Sequence, residues 1–462
     1  MMPGQVARRV ALASLMAGLA ACGADSANGT GPSQGPGSSP RAGVTPRSID
    51  GPNAVQPAGI PASHGYGAIT AGGATELSGL GREVCTVTTL ADAGPGSLRD
   101  CVLNRQRPRE VRFAVAGTIM LKRASGMIVI RQPYLTINGF SAPPPGVTLA
   151  KDVECFNAMR IGATHDVVIV GLRFRGNWKP GDSFPNRSCA DANNTNTLGV
   201  DGDTNAEAVP WDPQPNDRAN PSDLDGQAGN ARGVRRLVVA YNTFANGHDS
   251  NPDYWGDIVD ATHQANLVIE SWHPSTVSYQ QTSPRRFPRQ RLSWYANVYA
   301  RNGERQPQLV NGVFDFDMRD NVIHGWFQPG GGGYGLRFKG GSGDLPTSPA
   351  NVIHNAFLAA GSDPDKGCVF GEQPRREEGP DSRVGAMRLF FQDNLFPEGR
   401  SYADSNCVTT PSARDGAYAV PARARLPALD WQDAVRRVGM PYRTPEEQAL
   451  LEEIATALRA RQ

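Results

Sequence analysis

RLSWYANVYARNGERQPQLVNGVFDFDMRDNVIHGW, residues 291–326, is the stretch that decides the fold of this chain. Two patterns of alternating apolar and polar residues flank a polar loop at residues 304–307. Each pattern contains an asparagine followed by two apolar residues, at Asn297 and Asn321. Such alternation is typical of strands that are buried on one face. The stretch therefore predicts two stacked strands that present Arg305 from the loop between them.

The same motif recurs along the chain and predicts a repeating coil. An asparagine just before an apolar pair occurs at Asn138, Asn242, Asn297, Asn321, Asn355 and Asn394, and a related segment carries Gly171 in its place. From Asn297 onward the successive intervals are 24, 34 and 39 residues. They suit a coil of roughly two dozen residues with loop insertions. This spacing predicts an all-β fold, a right-handed parallel β-helix (solenoid).

The repeated asparagines are predicted to be structural residues in the turns of this solenoid. Asparagine tolerates a left-handed backbone, and its side chain can bond to the equivalent residue of the next coil. A β-sandwich is the alternative fold. Its hairpins would give short, regular spacings and Asn-Gly turns, which are sparse here.

Both ends of the solenoid carry helix signals. Residues 94–103 begin with turn residues and continue as a short amphipathic helix with Ser97 as its N-cap, which could cover the first coil. Near the C-terminus Thr444 supplies an N-cap, followed by a proline and by the capping-box residue Glu447, for a helix through about Arg459. We therefore expect an N-terminal capping helix and a packed C-terminal helical segment.

The N-terminal region is typical of an exported lipoprotein. Residues 1–22 contain two arginines, a short apolar run and a Leu-Ala-Ala-Cys end that looks like a bacterial lipobox, so Cys22 is predicted to be lipidated. An ordinary signal peptide is the alternative. Residues 23–63 predict a disordered tether, residues 64–410 the solenoid, and residues 411–462 a C-terminal extension. We expect an outer-membrane or cell-surface lipoprotein, and otherwise a secreted protein.

Six further cysteines predict disulfides, because an even number in an exported chain favours pairing. Proximity in sequence favours the pairs Cys85–Cys101, Cys155–Cys189 and Cys368–Cys407, although other pairings stay open. A zinc site is the alternative, but the chain has no CxxC pair.

The overall charge does not predict a polyanion-binding protein. The chain of 462 residues has a formal net charge of +1, so any acidic partner must be bound by a local site. We expect no nucleic-acid partner, membrane attachment only through the lipid anchor, and a monomer. There is also no Gly-x-Ser-x-Gly elbow and no P-loop.

Several motifs resemble one known family. They are Gly65-Tyr66-Gly67, residues 87–99, Gly117-Thr118-Ile119, residues 136–139 with Ala142-Pro143, and Arg305-Gln306-Pro307 followed by Asn321-Val322-Ile323. Together they look like the bacterial pectate lyases of polysaccharide lyase family 1, over about residues 64–400. The resemblance implies a parallel β-helix that cleaves an acidic polyuronate, favouring polygalacturonate, by Ca²⁺-assisted β-elimination.

The resemblance also implies which residues hold calcium. Family members use an Asp-x-Asp pair and an acidic pair on the next coil, and the matching residues here are Asp223, Asp225, Asp257 and Asp260, with Gly256 where a family glutamate would fall. Asp201 with Asp203 is a second candidate pair, and Asp249 is a further nearby acid. Carboxylate oxygens are the ligands that Ca²⁺ prefers. The alternative is that these acids simply belong to a solvated loop.

Arg305 matches the family's catalytic base. The family's second arginine falls at Val310, and its substrate-binding lysine falls near Ser278-Tyr279, so these two cations are missing. Candidate replacements that could bind substrate carboxylates are Arg285, Arg286, Arg289, Arg291, Arg337 and Lys339. The alternative for Arg305 is a surface ion pair with Glu304 or Asp315.

Two other functions stay open. Asp315 and Asp317 could form the carboxylate pair of a β-helix glycoside hydrolase, although Arg305 would then have no task. Alternatively, because the helper cations are missing, the chain could bind acidic glycans at the cell surface without cleaving them.

Overall fold

The computed structural model describes residues 59–74, 81–103, 105–179, 195–202, 233–278, 290–310, 313, 315–326, 333–339, 348–359, 368–373, 387–397, 407–408 and 416–461. The chain divides into two units, residues 1–46 and residues 47–462, and all described residues belong to the second. Cys22 and the predicted signal peptide therefore lie outside the described residues. No helix within the described ranges is long and apolar enough to cross a membrane.

Short strands dominate the described part of the chain. In chain order they are β1 Glu83–Val87, β2 Arg109–Phe113, β3 Gly117–Leu121, β4 Ile128–Ile130, β5 Leu135–Asn138, β6 Val147–Lys151, β7 Met159–Gly162, β8 His165–Val170, β9 Arg173–Arg175, β10 Leu198–Asp201, β11 Val234–Ala240, β12 Thr243–Ala245, β13 Asp253–Trp255, β14 Ile258–Gln264, β15 Leu267–Ile269, β16 Thr276–Ser278, β17 Leu292–Tyr295, β18 Val298–Asn302, β19 Gln308–Val310, β20 Phe316–Arg319, β21 Val322–Trp326, β22 Tyr334–Lys339, β23 Ser348–Ile353, β24 Ala356–Leu358, β25 Cys368–Gln373, β26 Met387–Gln392 and β27 Cys407–Val408.

The described strands form three sheets, in which each strand pairs with the equivalent strand of the next coil. The ten-stranded sheet has the order β1-β2-β5-β8-β11-β14-β17-β20-β23-β26. The eight-stranded sheet runs from β3 to β24, and the nine-stranded sheet runs from β4 to β27. The strand pairs are parallel, apart from the antiparallel pair of β25 with β27. The predicted parallel β-helix is confirmed, and the parallel pairing rules out the β-sandwich.

An asparagine ladder marks the corner between the ten-stranded and eight-stranded sheets. Each side-chain amide donates to the next asparagine's Oδ1 at 2.8–3.2 Å, in the order Asn242, Asn266, Asn297, Asn321, Asn355, Asn394. The predicted bonding between coils is therefore confirmed. The predicted left-handed asparagines are wrong, because the positive φ belongs to the preceding residue, as at Ala296 (55°) and Asp320 (57°). Asn138 bonds to Glu110 instead of joining the ladder.

Apolar side chains stack inside the coils. On the nine-stranded sheet, Tyr254, Val277, Leu309 and Phe338 occupy register positions of successive strands and belong to the central apolar core. Between neighbouring coils, Phe174 and Phe244 stack with ring centroids 4.9 Å apart. Since alternate residues of a strand point to opposite faces, the residues between these core positions face outward.

The N-terminal cap has the predicted form. Helix α1, Leu98–Val102, begins after Ser97, whose side chain accepts a hydrogen bond from the backbone N–H of Asp100. A disulfide joins Cys85 of β1 to Cys101 of α1. Cys155 is also disulfide-bonded, but its predicted partner Cys189 lies outside the described residues. The side chains of Cys368 and Cys407 are likewise outside the described part, so that pair stays a prediction.

An N-terminal segment, residues 60–74, runs across the outer face of the ten-stranded sheet. Backbone N–H groups of this segment donate to Thr136, Asp166, Thr262 and Ser293, which belong to β5, β8, β14 and β17. Ile60 already packs against buried valines of this sheet. Packing therefore begins before the predicted end of the tether at residue 63.

The C-terminal helices cover the eight-stranded sheet. They are α2, Trp431–Arg437, and α3, Pro445–Arg459, and α3 has the predicted capping box of Thr444 and Glu447. Buried residues of these helices, including Leu451 and Ile454, pack against the outward residues Leu267 and Val298 of the sheet. The predicted packed C-terminal helix is confirmed. The nine-stranded sheet, in contrast, carries half-exposed outward side chains at Arg160, Trp255, Arg337 and Lys339.

Candidate active site

Arg305 lies at the corner between the eight-stranded and nine-stranded sheets. It follows β18 and precedes β19, and its backbone has a φ of 68°. The equivalent corners of the two preceding coils are residues 246–252 and residues 270–275. We call these two segments, together with residues 303–307, the Arg305 corner. Only parallel stacking brings them together, because they are far apart in the chain.

The guanidinium of Arg305 is held by residues of three coils. Its Nη1 lies 2.9 Å from Asp249 Oδ1 and donates to Thr276 Oγ1 at 3.4 Å. Its Nε lies 3.7 Å from Glu304 Oε1. The side chains of Arg305 and Asp249 are each 19% exposed. Arg305 does pair with Glu304, as the alternative for Arg305 predicted. The pair is largely buried, however, and is not a surface ion pair.

His273 bridges the two carboxylates of the corner. Its Nδ1 lies 3.1 Å from Asp249 Oδ1, and its Nε2 lies 2.8 Å from Glu304 Oε1. Glu304 also accepts a 2.6 Å hydrogen bond from Arg337 Nη1. Contacts thus run without a break through the corner, in the order Arg305, Asp249, His273, Glu304 and Arg337.

This environment keeps the two carboxylates ionised. Burial alone would raise the pKa of Asp249, but the charges of Arg305 and His273 outweigh it and hold that pKa well below its usual range. For Glu304, burial is likewise outweighed by the hydrogen bond and charge of His273 and by the charge of Arg337, which together lower the pKa to about 2.

Asp253 is a third acid close to the corner, and its pKa is shifted in the opposite direction. Burial and the negative charge of Asp249 raise its pKa to about 7. Its Oδ2 accepts a hydrogen bond from Trp255, whereas Oδ1 is buried without a hydrogen-bond partner among the described residues. Two neighbouring carboxylates with an unsatisfied oxygen suit a hard divalent cation such as Ca²⁺. No three acidic, histidine or cysteine side chains in the described ranges form a metal cluster.

Asp257 and Asp260, the two predicted calcium ligands that the structure describes, lie away from the Arg305 corner and bond to other arginines. Asp257 lies between β13 and β14, at the corner between the nine-stranded and ten-stranded sheets, and pairs with Arg235 at 3.5 Å. Both oxygens of Asp260 accept hydrogen bonds from Arg291 at 2.6 Å. This ion pair occupies Asp260 and also removes Arg291 from the candidate substrate cations. Asp203, Asp223 and Asp225 lie outside the described residues, and Asp201 pairs with Arg160 at 3.3 Å.

Two predicted substrate-binding cations lie on the nine-stranded sheet beside the corner. Arg337 bonds to Glu304, as described above. Lys339 is the register partner of Val310, the position where the family's second arginine would fall. On the other side of Val310, in the strand of the preceding coil, lies Ser278. It follows Val277, which is the register partner of Leu309. Arg285, Arg286 and Arg289 lie outside the described residues.

The carboxylate pair of the hydrolase alternative lies elsewhere. Asp317 is in β20 of the ten-stranded sheet, and its fully buried carboxylate bonds to Arg319 at 2.9 and 3.0 Å. Asp315 immediately precedes that strand. Neither residue is at the Arg305 corner, so this pair does not combine with the arginine in one site.

Sequence reasoning named Glu304 as a possible partner of Arg305 and Asp249 only as a further acid, and it missed His273 and Thr276. Asp249, His273 and Glu304 each follow a ladder asparagine, Asn242, Asn266 or Asn297, by seven positions. That constant spacing is a signal that the sequence does contain. To apply this spacing, Asn266 must first be identified as a ladder residue. Like the other ladder residues, it precedes an apolar pair.

Comparison with known proteins places the fold and the site in context. No protein-family model matches the chain. A protein named "Probable pectate lyase C" from Aspergillus fumigatus is 27% identical over 303 residues, which are 65% of this chain and 54% of the relative. A protein of the same name from Aspergillus flavus is 28% identical over 300 residues, with the same coverage of both chains. This chain is therefore similar in sequence to proteins named as pectate lyases. It spans about half the length of the curated relatives that it matches.

The fold of this chain is also found among solved structures. The crystal structure of jun a 1, the major allergen from cedar pollen, has a TM-score of 0.51 and covers 82% of this chain and 92% of its own. At 13% identity this likeness shows the fold alone. The chemistry of this chain must therefore be argued from its own Arg305 corner.

Proposed function

We propose that this chain is a pectate-lyase-type polysaccharide lyase that cleaves an acidic polyuronate, with polygalacturonate as the favoured substrate. The observation that carries the proposal is the Arg305 corner, which holds an arginine at the edge of a sheet whose outward face carries Arg337 and Lys339. The names of the curated relatives support the same reaction class. The reaction would be β-elimination, with Arg305 as the base.

The reaction needs a base at C5 of a uronate unit, next to the C6 carboxylate. Arg305 in its neutral form takes the C5 proton, and the electron pair of the C5–H bond becomes the C4–C5 double bond. The bond from C4 to the glycosidic oxygen breaks, the leaving oxygen takes a proton from solvent, and Arg305 returns its proton to solvent, so that no water is consumed. A guanidinium is protonated at ordinary pH. We therefore expect turnover to increase at alkaline pH.

Two acids of this chain fit a role in holding calcium. Asp249 and Asp253 are two of the largely buried carboxylates near Arg305, and Asp253 Oδ1 is buried without a hydrogen-bond partner among the described residues. When bound, Ca²⁺ would supply positive charge that stabilises the growing negative charge on the uronate carboxylate. Asp223 and Asp225 stay predicted ligands, while Asp257 and Asp260 are engaged with Arg235 and Arg291.

Substrate carboxylates also need cations outside the corner. Lys339 stands beside Val310 and offers a charge next to the position where a helper arginine is missing. Arg337 offers a second charge, although Glu304 already accepts one of its hydrogen bonds. Arg285 and Arg286 stay predictions for the same role. We propose that Lys339 is the main replacement among the described residues.

The decisive experiment measures the unsaturated product by its ultraviolet absorbance. The full chain is incubated with polygalacturonate at alkaline pH, with added calcium or with a chelator, and Arg305→Ala is compared with Arg301→Ala. Arg301 is a suitable control because it is half-exposed and pairs with Glu453 of α3, away from the corner. We expect product from the native chain and Arg301→Ala, with at least a hundredfold loss in Arg305→Ala. Full activity of Arg305→Ala would remove Arg305 from the role of base.

A second candidate function is binding without cleavage. The ion pair between Arg305 and Asp249 favours it, because a paired guanidinium is in its charged form and suits carboxylate binding. The same assay separates the two functions. Absence of product from polygalacturonate, pectin, alginate and glycosaminoglycans, combined with measurable binding of one of them, would support the binding protein.

The site of action is proposed to be outside the cytoplasm. The disulfide between Cys85 and Cys101 favours an oxidising compartment. Anchoring through a lipid at Cys22 is the accompanying proposal, with a secreted monomer as the alternative.

A further inference from the structure

A second cavity lies on a different side of the solenoid from the Arg305 corner. It has a volume of about 750 Å³ and is formed by the N-terminal segment, the ladder corner and the connection between α2 and α3. Its lining includes Pro61, Phe140, Tyr241, Arg436, Arg437 and Arg443. Tyr241 directly precedes the ladder residue Asn242, so the cavity opens beside the ten-stranded and eight-stranded sheets.

The described lining of this cavity is positively charged. It contains three arginines and no aspartate or glutamate. Arg443 donates hydrogen bonds to the backbone carbonyls of Arg436 and Val438, and the nearest acid that acts on it, Glu447, is already shared with Arg173. Arg436 and Arg437 share the single carboxylate of Asp433. The group therefore has a surplus of positive charge that faces the cavity.

The cavity also offers aromatic surface. The rings of Phe140 and Tyr241 meet edge to face with centroids 6.0 Å apart, and both residues are half-buried. The Tyr241 hydroxyl accepts a hydrogen bond from Gln264, which fixes the ring. Aromatic rings provide rigid apolar surface on which the C–H face of a sugar ring can pack, while polar groups at the rim bind its substituents.

We propose that this cavity is a second, non-catalytic binding site for an acidic oligosaccharide. A uronate ring would pack against Phe140 and Tyr241, and its carboxylate would bind Arg437 or Arg443. The choice of a uronate as the ligand rests on the proposed function, whereas the cationic and aromatic character of the cavity does not. A site there would hold one part of a long polymer while another part lies at the Arg305 corner.

The test uses trigalacturonate and calorimetric titration of the full chain. Arg305→Ala is the background, so that the ligand is not cleaved, and Arg437→Glu is added to reverse one charge of the cavity. Arg437 is suitable because its side chain is 65% exposed, so the substitution leaves the core intact. The matched control is Arg459→Ala, in the last turn of α3 and outside the cavity lining. Thermal unfolding checks that each variant is folded.

We expect two classes of trigalacturonate site in the background protein and in the Arg459→Ala control. Arg437→Glu should weaken one class at least tenfold and leave the other unchanged, and maltotriose, which has no carboxylate, should not bind at that class. Product from trigalacturonate should form at the same rate in the native protein and in Arg459→Ala, because that substitution lies outside the cavity lining. Unchanged titration of the Arg437→Glu variant, or equal binding of maltotriose, would overturn the cavity site even if product is formed. Absence of all binding and of all product would instead overturn the proposed function together with this ligand.

Discussion

Asp249 Oδ1 and Arg305 Nη1 lie 2.9 Å apart, although 56 residues separate them in the chain. Both side chains are mostly buried, so removal of one partner leaves a charge that is poorly solvated. We predict that Asp249→Ala lowers the free energy of unfolding by about 3 kcal/mol and abolishes product formation. Asp201→Ala, which breaks the pair with Arg160 on the same nine-stranded sheet, should cost under about 1 kcal/mol. Denaturant unfolding measures both; equal losses would show that the Arg305 corner contributes no special stability.

Glu304 should make the protein sensitive to acid. Its pKa in the folded state is lowered from 4.5 to about 2, so the stability that it contributes is present above pH 4.5 and is lost as the pH falls towards 2. Between pH 6 and pH 3, the native chain should lose about 2 kcal/mol more than Glu304→Gln. Urea unfolding at the two pH values tests this, and parallel losses in the two proteins would contradict it.

Lys339 should bind substrate because it lies beside Val310. We predict that Lys339→Ala raises the KM for polygalacturonate about tenfold, which corresponds to the loss of one charged hydrogen bond, with little change in kcat. Lys339→Arg should retain the native KM. In the Lys339→Ala background, Val310→Arg should recover part of the affinity because the two positions are register partners. A fall in kcat without a change in KM would assign Lys339 another role.

An asparagine in the interior of the ladder should contribute more to the free energy of unfolding than the asparagine at its end. Asn321 is fully buried, and its side chain bonds to Asn297, Asn355 and Trp294. We predict that Asn321→Ala lowers the free energy of unfolding by about 3 kcal/mol, because it leaves several buried groups without partners. Asn394→Ala at the half-exposed end should cost about 1 kcal/mol. Thermal or denaturant unfolding provides the comparison, and similar losses would mean that the ladder bonds contribute uniformly.

Glu447 should stabilise the C-terminal helix more than its partner in the capping box does. Thr444→Ala removes one cap and should cost about 1 kcal/mol. Glu447 caps the same helix, and its two carboxylate oxygens also accept hydrogen bonds from Arg173 of β9 at 2.8 and 2.9 Å. Glu447→Ala should therefore cost about 2 kcal/mol or more. Calorimetry measures the stability loss of each variant. Equal losses, or a larger loss for Thr444→Ala, would mean that Glu447 acts only as a local cap.

The fold is predictable from sequence because its repeat has a simple physical cause. Each coil needs a polar residue that bonds to its copy in the next coil, and the Asn spacing shows this need directly. What the residue type alone does not reveal is the residue with the left-handed backbone. That conformation falls on the residue before each ladder asparagine, which is Ala296 in one coil and Asp320 in the next, so no single residue type marks it.

The candidate site is harder to predict because its parts come from three coils. Arg305 is found from its local motif, but Asp249 and His273 are different residue types in loops of different length. Choosing acids by type and order leads to Asp257 and Asp260, which are one sheet corner away and bonded to other arginines. Stacking register, not residue type, determines which side chains meet.

The N-terminal segment has a consequence for how the solenoid unfolds. In a linear array each repeat contacts only its neighbours, so such arrays can unravel one unit at a time from either end. Here the backbone of one short segment is bonded to β5, β8, β14 and β17, which span several coils. Opening one of these coils must therefore also break its bond to this segment, which holds the neighbouring coils as well. The segment thus acts as a strap that converts a stack of weakly linked units into one cooperative body.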